Sequence, residues 1–266
     1  MYFGSGDGNV YALDATSGAL KWKYRTGDVV HSSPAIADGV LYIGSWDTYL
    51  YALDAMNGKE KWRFKTGDDP DIHNHTGIQS SPAVVDGIVY FGCRDGNVYA
   101  VDGATGKQKW SFSTNGSWVN NSPAVHEGKV YFGTSIPGVL HVLDAETGAP
   151  VFQLPTGTPL FSSVAIATGT LYMSNFGGKM TAVDLKNQKS AWVFETDAAK
   201  QNSPALTNAD GSIKLEAVFP SPNLFYDDMV VAVRKLFTMG TILSSPVVVN
   251  DVVYVGSMDG NLYALM

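Results

Sequence analysis

The chain has 266 residues, of which 45% are hydrophobic and 16% are charged, and its formal net charge is −7 at pH 7. That length and apolar content are enough for a domain with a full core, and we expect one domain over residues 1–266. The acidic balance argues against a nucleic-acid partner, which needs a basic footprint, and no 18-residue apolar run predicts a membrane span.

The predicted elements are short strands joined by tight turns, beginning at the first residues. The opening MYFGSGDGNVYALD aligns with VYFGCRDGNVYAVD at 89–102. In the unit 32–67, runs rich in Val, Ile, Tyr and Phe lie near 33–37, 40–44, 49–53 and 61–65, with turn residues between them. Each run predicts a strand and each connection a hairpin. No segment has the length and 3.6-residue period that predict a helix.

Along the chain, an aspartate followed eight residues later by an aromatic residue recurs five times. Successive aromatic residues lie 40, 48, 42 and 40 residues apart, usually with a glycine four residues before each one. The pairs are Asp14–Trp22, Asp54–Trp62, Asp102–Trp110, Asp144–Phe152 and Asp184–Trp192. Four antiparallel strands every 40 residues or so predict the blades of an all-β β-propeller.

The recurring motif has a structural explanation. The aspartate ends a third strand, where its carboxylate can accept backbone N–H bonds in an Asx-type turn. The glycine supplies the positive φ of that turn, and the aromatic ring can cover the gap to the next blade. We therefore interpret the five aspartates as structural residues and assign no catalytic residue.

These segments resemble the pyrroloquinoline-quinone-type propeller repeat and its tryptophan-docking motif, over almost the whole chain. The repeat is shared by quinoprotein dehydrogenases, the outer-membrane barrel-assembly lipoprotein and sensor domains of bacterial kinases, so the resemblance implies the fold more than an activity. The catalytic members hold the quinone against a tryptophan, often opposite a vicinal cysteine pair, with calcium bound by Glu, Asn and Asp. Cys93 is the single cysteine of this chain, so no such pair exists.

The order of the repeats predicts the number of blades. The sequence begins at the second strand of one unit and stops before the aspartate turn of the last, with five four-stranded units between them. Seven blades with incomplete terminal sheets are expected, and an eight-bladed parent protein is the alternative. The sequence shows no signal peptide.

Hairpin topology sorts the loops into two faces. The second-to-third-strand turns and the blade-to-blade connections share one of them, the connection face, and it carries nearly all the irregular loops, where binding usually resides. Residues that precede the first strand of each unit are candidates for a ligand-binding ring or for simple strand caps: His31, Gln79, Asn120, Phe161 and Gln201. Trp46, Arg94 and Trp118 are non-repeating residues on the same face, and Trp and Arg often dominate binding energy.

Two irregular segments add further candidates. Asp69, Asp71, His73 and His75 have an alternating spacing that could hold a metal, although we favour a solvated loop whose two histidines contact a ligand or partner. In the sixth unit, NSPALTN (202–208) predicts an opening strand. The insert FPSPNLFYDD (219–228), with Phe225 and Tyr226, predicts either an exposed interaction site or packing between blades.

The sequence favours a noncatalytic propeller outside the cytoplasm that binds a protein partner or a small ligand through the connection face. We expect no cofactor and no metal. The alternatives are a protein or dehydrogenase that binds pyrroloquinoline quinone with calcium, and a sensor module of a larger receptor or kinase.

Overall fold

The computed structural model describes residues 1–67, 77–219 and 226–266, with the backbone alone at 226–229. These residues form six antiparallel sheets, the first to sixth blades, each ordered as its strands follow in the chain. The first three blades comprise β1 (Tyr2–Gly4), β2 (Asn9–Leu13) and β3 (Leu20–Arg25); β4 (Ala35–Ala37), β5 (Val40–Gly44), β6 (Tyr49–Asp54) and β7 (Glu60–Lys65); and β8 (Ala83–Val85), β9 (Ile88–Gly92), β10 (Asn97–Asp102) and β11 (Gln108–Ser113). The other three comprise β12 (Ala124–His126), β13 (Lys129–Gly133), β14 (Val139–Asp144) and β15 (Pro150–Pro155); β16 (Ala165–Ala167), β17 (Thr170–Ser174), β18 (Lys179–Asp184) and β19 (Lys189–Glu195); and β20 (Val247–Val249), β21 (Val252–Gly256) and β22 (Leu262–Leu265).

By internal contacts the chain divides into two compact units. The first unit, residues 1–130 with 143–151, contains the first three blades and apolar cores between consecutive sheets. The second unit, residues 131–142 with 152–266, contains the fifth and sixth blades, whose shared core includes Met180, Ile242, Val253 and Val255.

The predicted aspartate turns are confirmed. Asp54 accepts hydrogen bonds from the backbone N–H groups of Met56 (3.0 Å) and Asn57 (3.1 Å), and Gly58 has a φ of +72°. The strand preceding the turn ends at Asp54. The same carboxylate geometry recurs at Asp14, Asp102, Asp144 and Asp184.

The docking aromatic residues bridge blades through a shared carbonyl group. The indole N–H of Trp22 donates to the Ala55 carbonyl oxygen of the next blade at 3.0 Å, and the hydroxyl of Tyr2 donates to the same oxygen at 2.9 Å. The arrangement repeats for Tyr42 and Trp62 on Gly103, and for Tyr90 and Trp110 on Ala145. A buried polar N–H would be costly without such an acceptor, so both rings are fixed in orientation as well as buried.

A serine pair links the first strands of neighbouring blades. The hydroxyl of Ser80 accepts the N–H of Gly92 at 2.9 Å within its own blade. The hydroxyl of Ser81 accepts the N–H of Ser33 in the preceding blade, also at 2.9 Å. Ser163 and Ser245 make the same link between the fifth and sixth blades at 3.0 Å, which shows that these two blades are neighbours.

The expectation of an all-strand chain is wrong between the fifth and sixth blades. Residues 202–208, predicted as a strand, lie mostly in α1 (Asp197–Leu206), and two further helices follow, α2 (Leu215–Val218) and α3 (Tyr226–Phe237). The hydroxyl of Thr196 caps α1 by accepting the N–H of Ala199 at 3.0 Å, a local signal that outweighs the strand-like Ser-Pro. The described residues thus hold six sheets and a helical insert, and seven blades are not confirmed.

We expect Gly58→Ala to destabilise the chain more than Gly18→Ala. Both glycines occupy the same turn position with a φ of +72°, but a Cβ at Gly58 would lie 2.7 Å from the Trp22 ring, whereas one at Gly18 has no atom within 4 Å. Both changes carry the left-handed penalty of about 1–2 kcal/mol, and Gly58→Ala adds about 1–3 kcal/mol of overpacking. Denaturant titration measures the difference, and equal losses would show that Trp22 does not depend on this glycine.

His141 replaces a tyrosine that recurs in the third strand of other blades. Tyr51 donates to the turn carboxylate of Asp47 at 2.6 Å, and Tyr99 does so to Asp95 at the same distance. His141 instead stacks on Phe132, with centroids 5.1 Å apart and planes 4° apart. The imidazole is 7% exposed, and burial lowers the pKa of His141 to about 4.

This burial predicts a pH dependence that His141→Phe should remove. The unfolded imidazole, with a pKa near 6.5, takes up a proton before the folded one. The free energy of unfolding should therefore fall as the pH drops from about 6.5 to about 4, by up to about 3 kcal/mol. Denaturant titration at several pH values measures the difference between the two proteins, which isolates His141 from the titrating carboxylates. Parallel curves for both proteins would contradict the assignment.

Candidate functional site

Each second-to-third-strand turn lies against the connection that enters its blade. The N–H of Trp46 donates to the Val29 carbonyl at 3.0 Å, and the N–H of Arg94 donates to the Gly77 carbonyl at 3.1 Å. Glycine makes this approach possible at Gly77, whose φ is +128° and where a Cβ would lie 2.6 Å from the Cα atom of Trp46. The repeat thereby brings turn and connection residues together, as the predicted connection face requires.

In the first unit, these contacts assemble a cluster around Arg94. Its guanidinium carbon lies 4.0 Å from the centroid of the Trp118 ring and 4.9 Å from that of Trp46. Trp46 in turn meets the ring of His31 edge-on, with the centroids 5.1 Å apart. The structure therefore places a cation between two indole rings and a histidine beside one of them. We call Arg94, Trp46 and Trp118 the arginine cluster.

Arg94 is buried without an acidic partner. The side chain is 7% exposed, and this desolvation lowers the pKa of its guanidinium, which stays protonated because arginine is such a strong base. Its Nε atom has no hydrogen-bond acceptor, and within residues 1–67, 77–219 and 226–266 no carboxylate forms an ion pair with it. The two indole faces supply the attraction that partly offsets burial of the charge.

The neighbouring acid, Asp95, does not neutralise Arg94 because its carboxylate is bound elsewhere. Asp95 accepts hydrogen bonds from the hydroxyl of Tyr99 at 2.6 Å and from the N–H of Asn97 at 3.0 Å. Burial raises the pKa of Asp95, which opposes those hydrogen bonds. The Asp-Gly-Asn turn is therefore a structural element, and the charge of Arg94 remains available to a ligand.

Two further polar atoms at this end of the blades are buried without a hydrogen-bond partner. They are the indole Nε1 of Trp46, a donor, and the amide Oδ1 of Asn120, an acceptor. Buried polar atoms are seldom left unpaired in folded proteins. Together with Arg94 Nε they make this region able to bind a polar or anionic group between aromatic surfaces.

The other predicted site residues have different surroundings. Gln79 is half-buried in the connection before the third blade. Phe161 packs edge-on against Phe176 with centroids 5.3 Å apart, in an apolar cluster with the helical insert. Gln201 is exposed in α1 rather than before a first strand, which corrects its predicted position. His73, His75 and Phe225 lie outside the described residues, as do Asp69 and Asp71; Tyr226 begins α3.

The helical insert also forms a cavity that the sequence did not predict. The cavity measures about 260 Å³ and is lined by polar groups, including Thr156, Asn175, Ser203 and Asp210. The Ser203 hydroxyl is buried without a hydrogen-bond partner. Sequence reasoning missed these residues because it placed strands where α1 lies. Only the Thr-Asp-Ala-Ala-Lys start of α1 (196–200) could have indicated the helix.

The comparisons with known proteins identify the family. A family model described as outer membrane protein assembly factor BamB matches residues 1–117 and 94–266. The chain belongs to this family. That result confirms the resemblance to the quinone-type repeat and the all-β propeller fold class. No curated protein matches the sequence significantly.

Solved structures show the same fold at low sequence identity. BamB from Moraxella catarrhalis is 18% identical, with a TM-score of 0.69 over 97% of this chain and 66% of that one. Quinohemoprotein alcohol dehydrogenase from Comamonas testosteroni is 19% identical, with a TM-score of 0.67 over 83% and 45%. The computationally designed Ika8 protein is 15% identical, with a TM-score of 0.72 over 99% and 67%. The chain thus spans less than two thirds of the length of the BamB structure.

Among the described residues, no helix is both long and apolar enough to span a bilayer.

Proposed function

We propose that the chain is a noncatalytic propeller scaffold that holds a protein partner on the connection face, with Arg94 binding a carboxylate of that partner. The single observation that carries the proposal is a buried guanidinium between two indole rings with no acid paired to it in the described part of the chain. The family description, an assembly factor, supports a protein partner over a small substrate.

The chemistry of the arginine cluster favours a carboxylate. A guanidinium offers planar paired donors that match a carboxylate, and such charge-assisted hydrogen bonds are stronger than neutral ones. The indole rings hold Arg94 in place before binding, which lowers the entropy cost of ordering the side chain. Trp and Arg in desolvated surroundings also dominate the binding energy of many protein interfaces.

The proposal predicts that Arg94→Gln weakens binding of an acetylated peptide rich in Asp and Glu by about tenfold to a hundredfold. Loss of one charge-assisted hydrogen bond costs about 1.5–3 kcal/mol, which corresponds to that range. Tryptophan fluorescence measures the affinity, because Trp46 and Trp118 flank the guanidinium. A peptide of the same length with Asn and Gln should bind neither protein.

Arg63→Gln provides the matched control. Arg63 also lies over an aromatic ring, 5.0 Å from the Tyr49 centroid, but it is largely exposed and lies 3.8 Å from Glu60. This substitution should leave peptide affinity unchanged. Equal losses in both variants would mean that the peptide senses net charge only, and would overturn the role of Arg94. Melting temperatures of both variants establish that the fold is retained.

A quinone-dependent enzyme is the second candidate, because quinohemoprotein dehydrogenases share the fold. The residues of this chain do not fit that cofactor set. Cys93 is buried and bonded to Thr66 and the Gly77 carbonyl, and burial raises its pKa to about 12. Within the described ranges, no three His, Cys, Asp or Glu side chains are grouped as metal ligands. We therefore assign no catalytic step.

Calorimetry with pyrroloquinoline quinone and calcium tests this alternative. Since the described residues supply neither a cysteine pair nor a ligand group, we expect no calcium-dependent heat of quinone binding. Weak binding that is independent of calcium and lost in Arg94→Gln would instead reflect the carboxylates of the quinone at the arginine cluster. Calcium-dependent binding with dye-linked alcohol oxidation would support the enzyme.

We further propose an extracytoplasmic location, which the family description supports. Fractionation of cells that produce the native protein, followed by immunodetection, tests this location. Recovery of the protein with cytoplasmic markers would contradict it.

A further inference from the structure

The packing between the second and third blades shows what covers each face of a blade. Tyr42, Leu50 and Ala52 lie on one face of the second blade, which we call a trailing face, and are buried in one cluster with the third blade. On the third blade, Phe91, Tyr99 and Val101 belong to the same cluster. We call the face that carries these three residues a leading face. Each buried interface of this kind therefore joins a trailing face to a leading face.

The sixth blade repeats the trailing face with identical residues but leaves it uncovered. Tyr254 pairs with Ala264, and Gly256 pairs with Leu262, in the register that Tyr42, Ala52, Gly44 and Leu50 have in the second blade. Leu50 is 0% exposed, whereas its equivalent Leu262 is 73% exposed. Tyr42 is 4% exposed, whereas Tyr254 is 38% exposed. Val253 and Val255 point to the opposite face and are buried against the fifth blade.

The first blade repeats the leading face, also uncovered. Phe3 stacks on Tyr11 with centroids 5.4 Å apart and planes 18° apart, which matches the stack of Phe91 on Tyr99 at 5.3 Å and 18°. Phe91 is fully buried, but Phe3, Tyr11 and Leu13 are only partly buried. At Gly18, the turn glycine of this blade, a Cβ would meet no atom within 4 Å, whereas Gly58 contacts Trp22.

We propose that the trailing face of the sixth blade docks on the leading face of the first blade of a second copy of this chain. The two faces carry the residue types that already pack together between the second and third blades, so the occupant is fixed by an interface that the chain contains. The hydroxyl of Tyr254 would donate to the Ala15 carbonyl of the second copy, as Tyr42 donates to Gly103 at 3.0 Å.

The geometry of this contact determines the form of the assembly. The contact is heterologous, because two different faces meet, so each bound copy presents one further face and growth is not limited to a symmetric pair. Each chain carries a net charge of −7, so copies repel one another while the apolar faces attract. Added salt screens the repulsion and should strengthen association.

Sedimentation velocity of single and mixed variants tests the proposal. Wild-type protein should increase in average mass with concentration. Leu262→Asp blocks the trailing face and Phe3→Lys blocks the leading face, so each variant alone should remain monomeric. A mixture of the two should form dimers that do not grow, because one intact face of each kind remains. Met56→Asp, which removes an apolar side chain that is 87% exposed in a turn, should behave like the wild type.

Each outcome decides the proposal. Dimers in the mixture support it, and they show at the same time that both variants are folded. Wild-type protein that is monomeric at every concentration and salt level overturns the second copy as occupant. Self-association that persists in both single variants places the contact on another surface and overturns it as well. The Leu262→Asp and Phe3→Lys changes do not touch the arginine cluster, so peptide binding by these variants separates this result from the proposed function.

Discussion

One acceptor oxygen anchors the contact between neighbouring blades. The carbonyl after each turn aspartate receives an indole N–H and a phenol O–H from the preceding blade, as the Ala55 oxygen does from Trp22 and Tyr2. The aspartate fixes where that carbonyl points by holding the turn, and the glycine opposite the indole leaves room for the ring. Turn conformation, ring orientation and blade spacing are thus coupled through a few atoms, and changing one of them disturbs the other two.

The strand pattern was predictable because each turn carries its own local signal, such as Asp54 with Gly58. The second requirement on that glycine was not, since it comes from a ring 36 residues earlier, at Trp22. The fifth blade shows the consequence: Gln188 adopts a φ of +55° in place of glycine, and the preceding aromatic residue is Phe152, without an indole. The strand assigned to 202–208 failed because Ser203 and Pro204 imitate the start of other blades.

The site was predictable only in part. Arg94, Trp46 and Trp118 could be selected because they break the repeat on one face, but their convergence could not. Arg94 lies 48 residues after Trp46 and 24 before Trp118, and only the hydrogen bonds between turns and connections bring them together. That Arg94 lacks an acid partner also depends on Asp95 being bound to Tyr99, a pairing whose four-residue spacing recurs at Asp47 and Tyr51.

The helical insert has a consequence for how this architecture can acquire new parts. The serine link from Ser163 to Ser245 and the packing of Trp192 near Val253 join the fifth and sixth blades despite some forty intervening residues. Because the blade contacts are complete without the insert, the connection acts as an open port in the chain, where closure entropy rises only slowly with length. Foreign sequence exchanged for residues 198–238 would leave the repeat register intact, and this port is the place to graft a new recognition element.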